Sequence, residues 1–190
     1  SHSNKSNLWD IGKGKMKIAI AQITTAPGNI NGNTEKIIKY IQKAQRENVE
    51  MVVFPELAIP GYLSLDLILN DEYVKQNIEA LNKIVEHTEN IIVVVGFIDL
   101  DKKKLRQDNL KERNNSAAII NNKKLVAIQD KTLLPNYDIF YENRYFASAR
   151  DRKVISLNGF KLGVQICEDL WDKNYSIKVS EDLIKKGADL

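Results

Sequence analysis

The strongest constraint on the fold is a series of short apolar runs separated by longer amphipathic segments. Residues 17–23 (KIAIAQI), 51–54 (MVVF) and 91–95 (IIVVV) are too short for helices of usual length, so each predicts a buried strand. Pro55 ends the second run because proline cannot donate a hydrogen bond to a neighbouring strand. The predicted order of the first half is therefore strand, helix, strand, helix, strand.

The two segments between these runs show helical periodicity. We expect the first helix to be capped at its start by the side chain of Asn33, and the second to follow a loop that contains Pro60-Gly61. The apolar stripes of the two helices are Ile37, Ile38, Ile41 and Ala44, and Val74, Ile78, Leu81 and Val85. Each stripe should pack on the sheet that the strands form.

The second half of the chain predicts two β-hairpins. Residues 116–120 and 125–129 flank Asn121-Asn122, a pair that tolerates positive φ. Residues 153–166 form a similar pattern around Asn158-Gly159. Strand pairs of this kind, added to strands that alternate with helices, predict an α/β protein in which helices cover a mixed sheet.

Two further segments and a last helix complete the predicted organisation. Residues 99–113 carry many charges and few apolar side chains, so we expect an exposed, mobile connection. Residues 132–150 are aromatic and irregular, and a loop of this length in a compact domain is usually functional. The apolar residues Leu183 and Ile184 indicate a helix near the end of the chain.

Composition and motifs exclude several classes of protein. The 28 basic and 25 acidic residues leave a charge too small to indicate nucleic-acid binding. Nothing approaches the roughly 18 consecutive apolar residues of a membrane helix, and the single cysteine cannot form an internal disulfide. Glycine-rich nucleotide loops and paired C-x-x-C motifs are absent. We therefore expect a cytoplasmic protein with no nucleic-acid or membrane partner and no metal site.

Glu56, Lys131 and Cys167 each follow an apolar strand directly, so their side chains could converge on one pocket. A cysteine must lose its proton to attack a carbonyl, and a carboxylate such as Glu56 could accept that proton. An ammonium such as Lys131 could then stabilise the oxyanion. Structural alternatives stay open: Cys167 as a small core residue, Glu56 as a loop cap, and Lys131 as a partner of Asp130 or Asp138.

The segments around these residues resemble the carbon-nitrogen hydrolase, or nitrilase, superfamily, which uses a Glu-Lys-Cys triad. They are Pro55-Glu56, Lys131 followed by Leu134-Pro135, and Cys167-Glu168. The longer strings PELAIPGY, KTLLPNYDIFYENRYF and ICEDLW are similar to the glutaminase domain of glutamine-dependent NAD synthetases. The resemblance implies a four-layer α-β-β-α sandwich that is incomplete at its C-terminus.

The resemblance also implies roles for individual residues. Cys167 would be the nucleophile, Glu56 the general base and then acid, and Lys131 the stabiliser of the tetrahedral intermediate. Matching residues of the aromatic loop, which would bind the substrate unless they merely pack the loop, are Tyr137, Phe140 and Glu142. The implied reaction releases ammonia from glutamine through a γ-glutamyl thioester. ATP and Mg²⁺ would bind only in a separate synthetase domain, to which nothing in these residues corresponds.

The domain boundaries follow from the same reasoning. Residues 1–15 are polar and predict a disordered or non-native tail, with Met16 as the native start and residues 16–190 as a partial hydrolase domain. The segment KKGADL at 185–190 resembles the helix-to-strand transition before Met51, so we expect the domain to be truncated. Unpaired sheet edges would then favour a homo-oligomer. The alternative functions are a free-standing amidase or nitrilase for another small amide, and a catalytically silent fragment that acts through interactions.

Overall fold

The structure is a computed structural model that describes residues 14–190, apart from the side chain of Lys102. Its main sheet has five strands in the order β1-β2-β3-β4-β5. The first three strands pair in parallel and the last three in antiparallel fashion, which confirms the predicted mixed sheet. The strands are β1 (Ile18–Ile20), β2 (Met51–Val53), β3 (Ile92–Leu105), β4 (Lys111–Asn121) and β5 (Lys124–Asp130).

Two helices cover one face of this sheet: α1 (Ile30–Arg46) and α2 (Asp71–Glu86). Their apolar stripes pack against sheet residues such as Val93 and Val95, as the periodicity predicts. The predicted cap at Asn33 is wrong, because the side chain of Asn29 accepts the hydrogen bond from Gly32 and α1 starts one turn earlier. Asn33 is instead a buried helix residue that donates to the carbonyls of Ala26 and Ile59.

A second sheet covers the opposite face of the first. Strands β6 (Val154–Leu157) and β7 (Phe160–Gly163) form the predicted hairpin, with Asn158-Gly159 at positive φ. Apolar residues of the main sheet, Ile92 and Val94 among them, pack against this second sheet. Helix α3 (Val179–Lys185) packs on its outer side. The layers are therefore helix, sheet, sheet and helix, and strands buried on both faces explain the apolar runs at 51–54 and 91–95. The prediction of a buried strand at 17–23 is wrong, because β1 is an edge strand in which Ile18 and Ile20 are 37% and 75% exposed.

The prediction of an exposed connection over residues 99–113 is wrong. Strands β3 and β4 continue through most of it as one long hairpin, with a register shift between Asp101 and Leu105. The many charged side chains of this segment interrupt the alternation of apolar residues from which strands are predicted. One of its charges is nevertheless fully buried, since Arg113 donates to the carbonyls of Ile68 and Lys111 and pairs with Asp71.

The first predicted turn is displaced by one residue, because the left-handed positions are Asn122 and Lys123 rather than Asn121 and Asn122. The tail proposed for residues 1–15 lies almost wholly outside the described residues. Among the helices that the structure describes, none is long and apolar enough to cross a lipid bilayer. The ends of β2, β5 and β7 lead directly into the segments that carry Glu56, Lys131 and Cys167.

Candidate active site

Lys131 is the centre of the site. It follows β5 and is fully buried, with its backbone N–H donating to the carbonyl of Asn115. Its Nζ donates to Oε1 of Glu56 at 2.6 Å and to Oε1 of Glu142 at 3.0 Å. Burial lowers the pKa of Lys131, but the two carboxylates outweigh burial and the pKa is raised overall. Lys131 is therefore a buried cation, and its pairing with Asp130 or Asp138 is excluded as the explanation.

Cys167 stands beside this ion cluster at the solvent boundary. It opens a 3₁₀ turn (Cys167–Leu170) just after β7, and its φ of 47° lies in the left-handed region, which is strained for a side chain other than glycine. The thiol is exposed, so Cys167 is not a core residue. Partial burial and the charge of Glu56 raise its pKa to about 11, against the opposing effect of Lys131. The thiol is thus protonated at neutral pH and needs a base.

Glu142 is the second carboxylate on Lys131. It begins a 3₁₀ turn (Glu142–Arg144) in the irregular segment, and it is buried. Burial raises the pKa of Glu142 to about 7; Lys131 opposes this shift and Glu56 adds to it. Two carboxylates and one ammonium, all charged, leave a net negative charge in a buried space, and this costs free energy. Protonation of Glu142, whose pKa is raised, removes that charge near neutral pH.

The two aromatic residues predicted to contact a substrate lie near the three residues of the predicted triad. Phe140 packs between the rings of Tyr62 and Tyr137, with ring centroids 6.3 Å and 5.7 Å away. Tyr137 is 52% exposed, and its hydroxyl donates to Oε2 of Glu168 at 3.0 Å. The aromatic loop therefore reaches the residue that follows Cys167.

Two acidic residues behind Cys167 were not recognised individually from the sequence. Glu168 accepts hydrogen bonds from Tyr137 and Tyr175, and the second of these is 2.9 Å long. Asp169 is buried and accepts from the backbone N–H groups of Thr132, Leu133 and Ile166. It joins the turn of Cys167 to the segment after Lys131. The adjacent Glu168-Asp169 pair after the cysteine is the signal that could have identified them.

Tyr62 and Asn115 were also missed. Burial, followed by the charges of Glu56 and Glu142, raises the pKa of Tyr62, which places this phenol beside the two carboxylates. Asn115 donates from Nδ2 to Oε1 of Glu56 at 2.7 Å. Tyr62 follows the Pro60-Gly61 turn and Asn115 lies in a strand. The sequence pattern therefore contains no signal that would assign either residue to a site. Among the described residues, no group of three or more His, Cys, Asp or Glu side chains is arranged to bind a metal ion.

The carbon-nitrogen hydrolase family profile matches residues 17–185. The matched region includes all the residues of the site and nearly all of the described fold. The chain belongs to the carbon-nitrogen hydrolase family. Its layers also agree with an amidase of the nitrilase superfamily from Nesterenkonia AN1, with a TM-score of 0.74 over 91% of this chain and 62% of that chain. The sequence identity to that amidase is 19%, so the likeness there concerns the fold.

Within this family, the chain is similar to glutamine-dependent NAD(+) synthetases. It is 37% identical over 181 residues to the protein of Synechocystis sp., covering 91% of this chain and 32% of that protein. It is 33% identical over 160 residues to the protein of Thermotoga maritima, covering 83% and 26%. The solved structure from Acinetobacter baumannii, 32% identical, gives a TM-score of 0.82 over 92% of this chain and 31% of that chain. The chain thus spans about a third or less of the length of these relatives.

Proposed function

We propose that the chain hydrolyses the side-chain amide of glutamine and supplies the ammonia for NAD synthesis. The observation that carries the proposal is the buried Lys131, hydrogen-bonded to Glu56 beside the protonated thiol of Cys167. The similarity to glutamine-dependent NAD synthetases supports glutamine as the amide, because the names of those relatives state that they depend on glutamine.

In the first step, Glu56 accepts the proton of Cys167 while Sγ attacks the amide carbon of glutamine. A base is required because the pKa of the thiol is about 11, so little thiolate exists beforehand at neutral pH. The new C–S bond converts the carbonyl oxygen to an oxyanion. The carboxylate side chains of Glu56 and Glu142 accept from Lys131, and an ammonium has three donors, so one donor is left for that oxyanion.

In the second step, the intermediate collapses and its C–N bond breaks. Glu56 returns the proton to the departing nitrogen, which leaves as ammonia, and a γ-glutamyl thioester stays on Cys167. Water then attacks the thioester carbonyl while Glu56 accepts its proton, and Glu56 passes that proton to Sγ as the C–S bond breaks. The products are glutamate and the regenerated thiol, so the proton count of the site is restored after each cycle.

Glutamine differs from a simple amide by its ammonium and carboxylate groups, and Glu168 offers a fixed negative charge for the ammonium. Its two oxygens are held by the hydroxyls of Tyr137 and Tyr175, so the carboxylate is oriented before any ligand arrives. Phe140 and Tyr137 supply the apolar wall for the methylene groups of the substrate. This arrangement favours glutamine over an uncharged amide of similar length.

The wider proposal concerns what lies beyond the site. ATP and Mg²⁺ act in a separate synthetase domain, which is the partner that receives the ammonia, and no cofactor is assigned to the described residues. We also retain the cytoplasmic location and the homo-oligomer as parts of this proposal. Neither is needed for the amide chemistry described above.

The decisive test is ammonia release from glutamine by the purified 190-residue chain, beside Cys167→Ala. We expect release by the parent chain and loss of at least about a thousandfold in the variant, since the nucleophile is removed. Far-ultraviolet circular dichroism and thermal unfolding verify that both proteins fold. A panel of primary amides in the same assay decides between glutamine and another substrate.

Two outcomes would contradict the proposal. Preference for an uncharged amide would favour a free-standing amidase of the same family. A folded chain that releases no ammonia from any amide, and whose Cys167 does not react with an electrophilic glutamine analogue, would favour a catalytically silent fragment.

A further inference from the structure

Asn115 makes an unusual contact with the carboxylate of Glu56. Its side chain is fully buried in β4, and its Nδ2 donates to Oε1 of Glu56 at 2.7 Å. The same oxygen accepts from Nζ of Lys131 at 2.6 Å. Because Oε1 is occupied by two donors, the other oxygen of Glu56 is the one left to face the thiol of Cys167.

The orientation of the Asn115 amide supports this reading. Its Oδ1 is buried, and among the described residues nothing donates a hydrogen bond to it. Buried amide oxygens are nearly always paired, so an unpaired one requires a reason. Rotating the amide would bring Oδ1 against the carboxylate of Glu56 and remove the donor. The bond to Glu56 is therefore kept at the expense of an unpaired oxygen.

The backbone that carries Glu56 is also held in place, by a different residue. Gly96 of β3 lies directly under the Pro55-Glu56-Leu57 turn, and a Cβ there would come within 2.6 Å of the carbonyl oxygen of Pro55. The backbone N–H of Ile59 also donates to the carbonyl of Gly96 at 3.1 Å. The turn is thus fixed against β3, while the side chain of Glu56 is fixed from β4.

We propose that Asn115 is a positioning residue that presents one particular oxygen of Glu56 to Cys167. This inference rests on the proposed role of Glu56 as the base. Asn115 acts by restricting the rotation of the carboxylate through a hydrogen bond to a charged group. Without this bond, Lys131 alone would hold Glu56, and the carboxylate could turn its free oxygen away from the thiol.

The test measures alkylation of the thiol by iodoacetamide across pH, which requires no turnover. Cys167 is the only cysteine of the chain, so the label reports one site. Asn115→Leu removes the donor at nearly constant size, and Glu56→Gln gives the rate without the base. Because the charge of Glu56 raises the pKa of the thiol, its removal alone would speed alkylation, so a slower rate in Glu56→Gln reports the loss of the base. The matched control is Asn114→Leu, because Asn114 is buried in the same strand but donates to the carbonyl of Ala147 at 3.2 Å, away from the thiol.

We expect Asn115→Leu to slow alkylation at neutral pH by on the order of tenfold, the effect of losing one hydrogen bond to a charged group. The rate should fall toward that of Glu56→Gln across the pH range in which the thiol is protonated, because a carboxylate turned away from the thiol accepts its proton less readily. Asn114→Leu should keep the parent rate and profile even if its unfolding temperature falls. A purely structural role for Asn115 would lower stability in both variants and leave both profiles unchanged.

Equal alkylation rates in the parent chain and Asn115→Leu overturn the inference, as do equal rates in the parent chain and Glu56→Gln. If Asn115→Leu does not fold, Asn115→Ala removes the donor without adding charge or bulk; a slower thiol supports the inference and an unchanged one overturns it. Failure of the proposed function can be distinguished from failure of this inference, because a chain that releases no ammonia from glutamine can still show the predicted order of alkylation rates.

Discussion

The two halves of the site are built differently. We call Lys131, Glu56, Glu142 and Asn115 the inner cluster, and Cys167, Glu168, Tyr137 and Tyr175 the rim. The inner cluster is mostly buried, and its charged groups are joined by short hydrogen bonds. The rim lies on 3₁₀ turns and irregular segments; Cys167 and Tyr137 are exposed, and Glu168 is its buried member. The inner cluster therefore forms part of the folded core, whereas the rim is attached to it.

This difference assigns separate tasks to the two halves. Three members of the inner cluster lie in strands or directly after them, where the backbone is fixed by sheet pairing. Their geometry can be held closely enough for proton transfer, at the risk that any change also affects folding. Rim residues can vary with less effect on folding, since all but Glu168 contribute little buried surface. We expect inner-cluster variants to lose both stability and activity, and rim variants to lose mainly substrate affinity.

The largest effect should come from replacing the buried cation. Lys131→Met leaves the carboxylates of Glu56 and Glu142 together without a counter-ion, and breaking a buried ion pair costs about 3–5 kcal/mol. Urea denaturation should show this decrease in the free energy of unfolding, with complete loss of amide hydrolysis. Lys123→Met is the control, because that half-exposed lysine pairs with Glu89 at 3.6 Å and should change stability by less than about 1 kcal/mol. Similar losses in both variants would contradict the division into two halves.

Much of this organisation could be predicted from the sequence, for a physical reason. Strands buried on both faces appear as unbroken apolar runs, and their ends mark the positions where polar side chains converge. The runs at 51–54 and 91–95 thus predicted the sheet, and the ends of strands predicted Glu56, Lys131 and Cys167 as neighbours. The long loop at 132–150 was recognised by its length alone.

The missed features share another property: their meaning depends on contacts distant in sequence. Asn115 lies 59 positions from Glu56, and a polar residue within a strand shows nothing of its partner. The preference of helix caps for asparagine predicts a cap at Asn33, but Asn29 occupies that position and Asn33 donates to the carbonyl of Ile59 instead. The hairpin at 99–113 was missed because strand pairing can stabilise a charged segment that buries little apolar surface.

A variant of the rim should have an intermediate effect. Glu168 is buried, so the change must preserve its size: Glu168→Gln does so but removes the negative charge held by Tyr137 and Tyr175. We expect the KM for glutamine to rise by roughly 10- to 100-fold, the range for losing a hydrogen bond to a charged group. Steady-state kinetics should show little change with 4-carbamoylbutanoate, which is glutamine without its amino group. The thermal midpoint should stay close to that of the parent chain.

An unchanged KM for glutamine in Glu168→Gln would contradict the proposal that Glu168 binds the ammonium group of glutamine. A large loss of stability would instead show that the rim is as much a part of the core as the inner cluster. Glu181→Gln is the matched control, since Glu181 is an exposed residue of α3 in the first turn of that helix.

The smallest effect concerns the pH dependence of stability that the inner cluster imposes. Burial raises the pKa of Glu142 from 4.5 to about 7, so between these values the folded chain binds its proton more tightly than the unfolded chain does. The contribution of this bound proton to the free energy of unfolding is complete below about pH 4.5 and is lost as the pH rises through about 7. The thermal midpoint of the parent chain should thus fall over this window relative to Glu142→Gln, by a few degrees.

Asp99 and Asp130, whose pKa values burial also raises, titrate in both proteins and cancel in the difference. Parallel curves for the two proteins would mean that Glu142 is ionised in the folded chain throughout, and that the inner cluster holds its extra negative charge without cost.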